Sequence, residues 1–402
     1  LILTKDIRKH FPVFQHQPEL VYADNAATSQ RPQSVIDAVA EFESRGVSNI
    51  HRGMYRLAEE STQRFENARE KTASFIGAPD ASCIAFTKGT TESINTVAFG
   101  FLRHQLKPGD EVIISAMEHH ANLIPWQQVC NEKEAVLKII PVNESGELEM
   151  SRLSALFSSK TRLLAITHVS NTLGTINPIE EIIQQAHANH VPVLVDAAQS
   201  IAHYTINVQQ LNADFVAFSA HKMFGPFGVG VLYVHSKHHE SMHPLSFGGG
   251  AIRNVSFKET TWLDYPYNLE AGTQNITGVV GLTAALDFTE TLPMHSLEPQ
   301  LQALRIRLED GIRKEQGYRI IGEASKKSPI VSLVHNSIHP HDIATFLATK
   351  NIAVRAGHHC TQPLLDQLGI PATVRISFTV YNTEEDVDRI LEALSDVKSF
   401  WR

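Results

Sequence analysis

The chain is poor in cysteine: Cys83, Cys130 and Cys360 are all it has. An odd count with no Cys-x-x-Cys spacing excludes a disulfide framework and a paired-cysteine zinc site. It fits a reducing compartment, and the cytoplasm is the expected location. Long hydrophobic runs are also lacking, since none approaches the roughly 18–20 apolar residues of a membrane helix. Charge of one sign is nowhere blocked together. The net charge of −8, from 35 basic and 43 acidic residues, argues against a nucleic-acid groove. Internal repeats and low-complexity stretches are absent. The chain begins at Leu1 rather than Met, so the lack of a targeting signal carries no weight. What remains is 402 residues, 43% of them hydrophobic, with 22 Gly and 18 Pro. That is an ordinary globular composition, long enough for two buried cores.

From about 60 to 290, short apolar runs alternate with helical patterns. EVIIS (111–115), LLAITH (163–168), PVLVDAA (192–198) and DFVAFSAH (214–221) are such runs, and IEEIIQQAHANH (179–190) has helical periodicity. Continuous apolar runs separated by helices are what a parallel sheet covered on both faces requires. From about 295 the pattern changes to a charged helix (301–315), IVSLV (330–334), a helix near 341–350, AVRA (353–356), VRISF (374–378) and a last helix from Thr383. The expected architecture is α/β: a large domain over 21–294 with a mostly parallel sheet, and a smaller α+β domain over 295–402. Residues 1–20 are expected to pack on the smaller one. No Pro/Gly/Ser-rich linker separates the two, so their interface should be tight.

The stretch Asp196 to Lys222 is the richest in chemistry. Asp196 ends an apolar run, which places it at the carboxyl end of a parallel strand, where open α/β sheets bind ligands. Gln199 follows, and Ser219, His221 and Lys222 end the next run. Taken singly, an Asp or a Lys is usually a surface charge. Together at strand ends they form the set that pyridoxal phosphate (PLP) needs: an amine for its aldehyde, a carboxylate for its ring nitrogen, and hydroxyls and imidazole for its phosphate. Gly89-Thr90-Thr91-Glu92 follows CIAFT (83–87) and opens a helical stretch. Free N–H groups and threonine hydroxyls there suit a phosphate, although an ordinary capping box reads the same way. Glu118-His119-His120 follows EVIIS, and an imidazole there can stack on a ring or shuttle a proton.

The strings GTTES (89–93), EHHANLIPW (118–126), SNTLG (170–174), DAAQS (196–200), SAHKMFGP (219–226), GGG (248–250), EAGTQN (270–275) and RAGHHCTQP (355–363) resemble those of the fold-type I, class V aminotransferase-like PLP enzymes. More closely the chain resembles the group II cysteine desulfurases, which are also similar to selenocysteine lyases. The resemblance covers nearly the whole chain. It implies a fold-type I PLP-dependent transferase, and it implies conversion of L-cysteine to L-alanine with the sulfur held as a persulfide on Cys360. That sulfur would pass to an acceptor protein, as in iron–sulfur cluster assembly. Selenocysteine lyase is the alternative activity. By the same resemblance Lys222 is the cofactor lysine, Asp196 the ring-nitrogen partner and Gln199 the ring-oxygen donor, with His119 stacked on the ring and active in proton transfer. Thr90, Thr91, Ser219 and His221 would hold the phosphate, with Thr273 from the second subunit of a homodimer. Asn171, Arg355 and Arg375 would bind the substrate. Thr172, Gln274 and Ala251-Ile252 depart from the usual pattern, at positions that carry no catalytic group.

Cys360 lies in Arg355-Ala356-Gly357-His358-His359-Cys360. An Arg and two His are expected to make an electropositive setting that favours thiolate. Metal binding has no second cysteine to support it, and no metal is expected. Cys83 and Cys130 sit in apolar surroundings, where inert packing is expected. Arg375 lies in an apolar strand and is costly there unless it meets an anion, for which its fork suits a carboxylate. An epimerase or kynureninase-type enzyme would need no Cys360, and a sulfur-relay scaffold without cofactor would need neither Lys222 nor Asp196.

Overall fold

The computed structural model describes residues 2–400; Leu1, Trp401 and Arg402 lie outside them. Two short helices, Ile2–Arg8 and Val13–His16, precede a two-residue strand β1 (Val21–Tyr22). Seven strands follow: β2 (Ile84–Thr87), β3 (Glu111–Ser115), β4 (Val136–Ile140), β5 (Thr161–Thr167), β6 (Val193–Asp196), β7 (Phe215–Ser219) and β8 (Gly230–Val234). A hairpin comes next, β9 (Ile252–Val255) and β10 (Thr260–Trp262). The last strands are β11 (Tyr318–Ile321), β12 (Ile330–His335), β13 (Ile352–Ala353), β14 (Arg355–Gly357) and β15 (Thr373–Ser377).

The large sheet has the order β2-β8-β7-β6-β5-β3-β4. β3 to β7 pair in parallel, while β8 runs antiparallel to both β2 and β7. The continuous apolar runs are explained by burial on both faces. Leu164, Ile166, Val193 and Val216 join one core, and their neighbours Leu163, Ala165, Leu194 and Phe215 join the other. β4 leaves β3 on one side and β5 joins it on the other, so the strand order reverses there. The carboxyl ends of β3, β5, β6 and β7 face a common crevice, the usual ligand position in such sheets.

The second sheet is antiparallel, in the order β11-β12-β15-β14. Helices Met294–Lys314, Pro340–Thr349 and Glu384–Phe400 pack on it through Leu304, Leu308, Ile343, Leu347, Ile390 and Leu394. The charged helix expected from 301 begins at Met294. The N-terminal segment does more than lie on this smaller unit. Phe11 and Phe14 pack with Val380 and Tyr381, but also with Phe224 and Leu292 of the larger part. β1 pairs in parallel with β13, and Asp24 bridges to Ser377. The first strand is thus stitched to the last sheet. Among the described residues no helix is long and apolar enough to cross a membrane.

Candidate active site

A cavity of about 180 Å³ opens at the carboxyl ends of the parallel strands. Thr90, Thr91, His119, Asn171, Asp196, Gln199, Ser219, His221, Lys222, Arg355 and Arg375 all line it, so chain segments far apart in sequence meet there. Two expected residues do not line it. Cys360 sits half-buried in the adjoining turn. Thr273 lies in a separate cavity with Arg52, Gly249, Gly250 and Tyr267.

Lys222 follows β7 on a short 3-10 turn and is half-buried in the cavity wall, with no hydrogen-bond or ion-pair partner among the described residues. Burial pushes its amine down to about 8, and nearby Asp196 opposes that fall. An amine near 8 is part-neutral at ordinary pH and therefore nucleophilic. Asp196 ends β6; burial raises its carboxyl and Lys222 counters the rise. One of its oxygens accepts from the Ala198 amide at 2.9 Å. A buried carboxylate with so little local donation calls for a cationic partner.

The phosphate-type end of the cavity is built by close backbone approach. Ser219 Oγ accepts from the Thr90 amide at 2.8 Å and pairs with Thr90 Oγ1 at 2.7 Å. The helix Thr90–Asn95 runs on without a break into Thr96–Phe101. A Cβ on Gly230 would stand 2.4 Å from Gly89 Cα, so only glycine lets β8 pass the start of this helix. His221 Nδ1 is buried with no hydrogen-bond partner, and burial holds the ring down at about 4. A buried, unpaired ring nitrogen beside free helix N–H groups suits an anion. Gln199 Nε2 donates to the Ala26 carbonyl at 2.7 Å, which fixes the side chain and leaves its second amide hydrogen for a ligand.

His119 Nδ1 accepts from the Ala121 amide at 3.0 Å, which orients the ring. Burial first, and then Lys222, push it down to about 3, so it is neutral. Arg355 and Arg375 stand opposite each other across β14 and β15. Like charges placed so repel, and both line the cavity. Arg375 donates to Asn171 O and Asp24 Oδ1, each at 3.0 Å, while its buried Nε has no partner. Two facing guanidinium groups with a donor to spare define an anion seat. Asn171 Nδ2 donates to His359 O at 2.7 Å.

The setting of Cys360 differs from the expectation in one respect. His359 is buried, its Nε2 lies 2.8 Å from Thr373 Oγ1, and burial pushes it down to about 3. It is therefore neutral and adds no positive field, while Arg375 and Lys222 are the cations that interact with Cys360. His359 (φ +53°) and Cys360 (φ +58°) are both left-handed, at a cost of about 1–2 kcal/mol each. Burial pushes the Cys83 and Cys130 thiols up to about 11, which keeps them unreactive. Among the described residues no group of three or more His, Cys, Asp or Glu could hold a metal.

Two contributors escaped sequence reasoning. Asp24 holds Arg375, and nothing in its local string points there. Glu118, fully buried, accepts from Asn122 Nδ2 at 2.6 Å and the Thr167 amide at 3.0 Å. Its place beside His119 was the one available signal.

A lysine–aspartate pair at the crevice of this sheet, below a glycine-permitted helix start, defines a PLP-dependent class. Residues 21–390 match the profile of the family described as aminotransferase class-V, and the chain belongs to that family. The particular relatives are cysteine desulfurases. A probable cysteine desulfurase of Halalkalibacterium halodurans is 44% identical over 98% of each chain. A cysteine desulfurase of Escherichia coli is 41% identical over 97% of each. The crystal structure of the Escherichia coli cysteine desulfurase CsdA, in S-sulfonic acid form, aligns with TM-score 0.93 and 39% identity over 99% of this chain and 98% of that one. The apo cysteine desulfurase of Thermococcus onnurineus NA1 aligns with TM-score 0.94 and 38% identity over 98% of both.

Proposed function

We propose that the chain converts L-cysteine to L-alanine and keeps the sulfur as a persulfide on Cys360. One observation carries this reading: the Lys222–Asp196 pair and the facing Arg355 and Arg375 share a cavity wall with the turn that presents Cys360. PLP, when bound, supplies an aldehyde and a conjugated ring that takes up electrons from the substrate α-carbon. Lys222 would hold its aldehyde, Asp196 its ring nitrogen and Gln199 its ring oxygen. Thr90, Thr91, Ser219 and His221 would hold its phosphate, and His119 would cover its ring.

Arg375, Arg355 and Asn171 grip the substrate carboxylate and so fix its α-carbon over Lys222. Lys222 carries the α-proton, with neutral His119 as the second base in reach. Cys360 Sγ attacks the substrate sulfur. An S–S bond forms as the C–S bond breaks, and the released electron pair takes a proton to give the methyl of alanine. No outside oxidant is needed. The unit 21–294 binds the cofactor in this reading. The unit 295–402 brings Cys360 and Arg375 to it. Thr273 lies outside its own chain's cavity and serves the partner's phosphate, so the working form is a homodimer. The persulfide passes to an acceptor protein, in iron–sulfur cluster assembly, in a reducing cytoplasm.

The test is Cys360→Ala beside the wild type, with alanine and sulfide measured from cysteine and from selenocysteine. Cofactor absorbance should be unchanged and sulfur release from cysteine nearly lost, while selenocysteine, with its weaker carbon–selenium bond, should still be used. Mass spectrometry after brief exposure to cysteine should place the extra sulfur on Cys360 and not on Cys83 or Cys130. Equal sulfide from both proteins would overturn the assignment. Strong preference for selenocysteine in the wild type would make it a selenocysteine lyase.

A further inference from the structure

The turn that carries Cys360 adopts a backbone it would not choose alone. Gly357 (φ +128°), His359 (φ +53°) and Cys360 (φ +58°) are all on the positive side. Two consecutive left-handed residues with side chains persist only where the surroundings over-determine them. Several contacts from the large sheet do so. Asn171 Nδ2 holds the His359 carbonyl at 2.7 Å, and Thr172 Oγ1 meets Thr361 Oγ1 at 2.7 Å.

One residue grips the chain at two points, at Cys360 itself and two residues beyond it. The His120 amide donates to the Cys360 carbonyl at 2.7 Å. The His120 ring Nε2 accepts the Gln362 amide at 3.2 Å. Gln362 opens the helix Gln362–Gln367, so its N–H has no partner within that helix. Burial and the nearby His358 hold His120 below the ordinary histidine range, which keeps Nε2 an acceptor. The platform under His120 is rigid. Glu118 ties Ser115, Asn122 and the Thr167 amide together, and Trp126 Nε1 donates to Asn122 Oδ1 at 2.9 Å. The same turn carries His119 into the cofactor cavity. The two neighbouring histidines therefore divide the work, one facing the cavity and one holding the backbone of the turn that carries Cys360.

We propose that His120 is a positioning residue for Cys360, holding the sulfur-accepting thiol in register with the cavity. This rests on the reading of Cys360 as the sulfur acceptor. In the holoenzyme, His120→Phe keeps the ring bulk and removes the acceptor. It should slow first-turnover persulfide formation on Cys360 tenfold or more and leave cofactor absorbance unchanged. Iodoacetamide alkylation of Cys360, read by peptide mass spectrometry without substrate, should rise at least threefold. Amide exchange at Gln362 should rise with it. His120→Gln keeps an acceptor and should bring all three readouts back toward wild type. A merely structural loss would lower turnover without this opposite movement and without rescue. The proposal is overturned if His120→Phe matches the wild type in alkylation and exchange, or if His120→Gln behaves as His120→Phe. Should Cys360→Ala release sulfide at the wild-type rate, it is the acceptor reading that fails. The positioning claim then stands or falls on alkylation and exchange alone.

Discussion

Arg375 shows how one side chain serves two purposes. It is buried, tied to Asn171 O and Asp24, and still has Nε unpaired beside the cavity. Arg375→Ala should lower kcat/KM for cysteine by about 2–3 kcal/mol, roughly 30- to 150-fold, as for loss of a charge-assisted pair. Arg375→Lys should recover little, because an ammonium cannot reach two anchors and a substrate in one plane. Steady-state kinetics decides, with a melting curve to detect the unpaired Asp24; unchanged kinetics would return Arg375 to a structural role. Residues such as Lys222 and Asp196 were legible in the sequence because each ends an apolar run, and a strand end fixes where a side chain goes. Asp24 was not, because its meaning comes from a strand pairing across more than 300 positions. The neutrality of His359 was not legible either. Charge follows burial, and burial is a property of the packed chain.

At the scale of elements, the crossing of β8 with the start of the Thr90 helix sets the phosphate end of the site. Gly230→Ala would drive a methyl into Gly89, whose own φ is +156°. The helix start must then move, while the hydrophobic strand Val231–Val234 remains intact. The expected outcome is at least a tenfold rise in the PLP dissociation constant with little change in far-ultraviolet circular dichroism. Normal affinity would show that the helix start is not the phosphate seat. Five strands of the large sheet, β2, β3, β5, β6 and β7, were readable from their apolar runs, whereas β4, largely unburied, was not. The antiparallel placement of β8 was not, since a run buried on both faces does not state its direction. The N-terminal helix-and-turn segment was expected on the smaller unit alone, whereas Phe11 faces both Phe224 and Tyr381. Aromatic residues in a short amphipathic stretch announce burial without naming the partner.

The whole molecule carries a pH signature. Burial pushes His168 and His203 down to about 4, and each has an unpaired Nδ1. His119, His221 and His359 are lowered in the same way. A base depressed by folding takes up its proton more readily when unfolded. Its stability is therefore present above about 6.5 and lost as pH falls toward 4. Glu118, raised by burial to about 8, and Asp196 act in the opposite sense, favouring the fold at low pH and losing that contribution as pH rises. Among the described residues His104, His120, His235 and His239 are lowered as well, and Asp386 is raised, so nine histidines against three carboxyls decide the sign. The melting temperature of the cofactor-free protein should fall between pH 7 and pH 5, and His168→Gln with His203→Gln should make the fall shallower. A flat profile in the wild type would contradict it.

The stitching of β1 to β13 and of Asp24 to Arg375 also has a meaning in time. Synthesis runs from one end, and domains tend to fold as they emerge. Every strand of the large sheet, and Lys222 with it, has been made by Val234. The guanidinium fork, the thiol and the partner strand that Val21 needs come only with residues 352–375. A growing chain can therefore acquire its amine–carboxylate pair long before it can hold a substrate carboxylate or move a sulfur atom. The reactive combination exists only once Arg375 has been made, and the strand at Val21 waits for a partner more than 300 residues later.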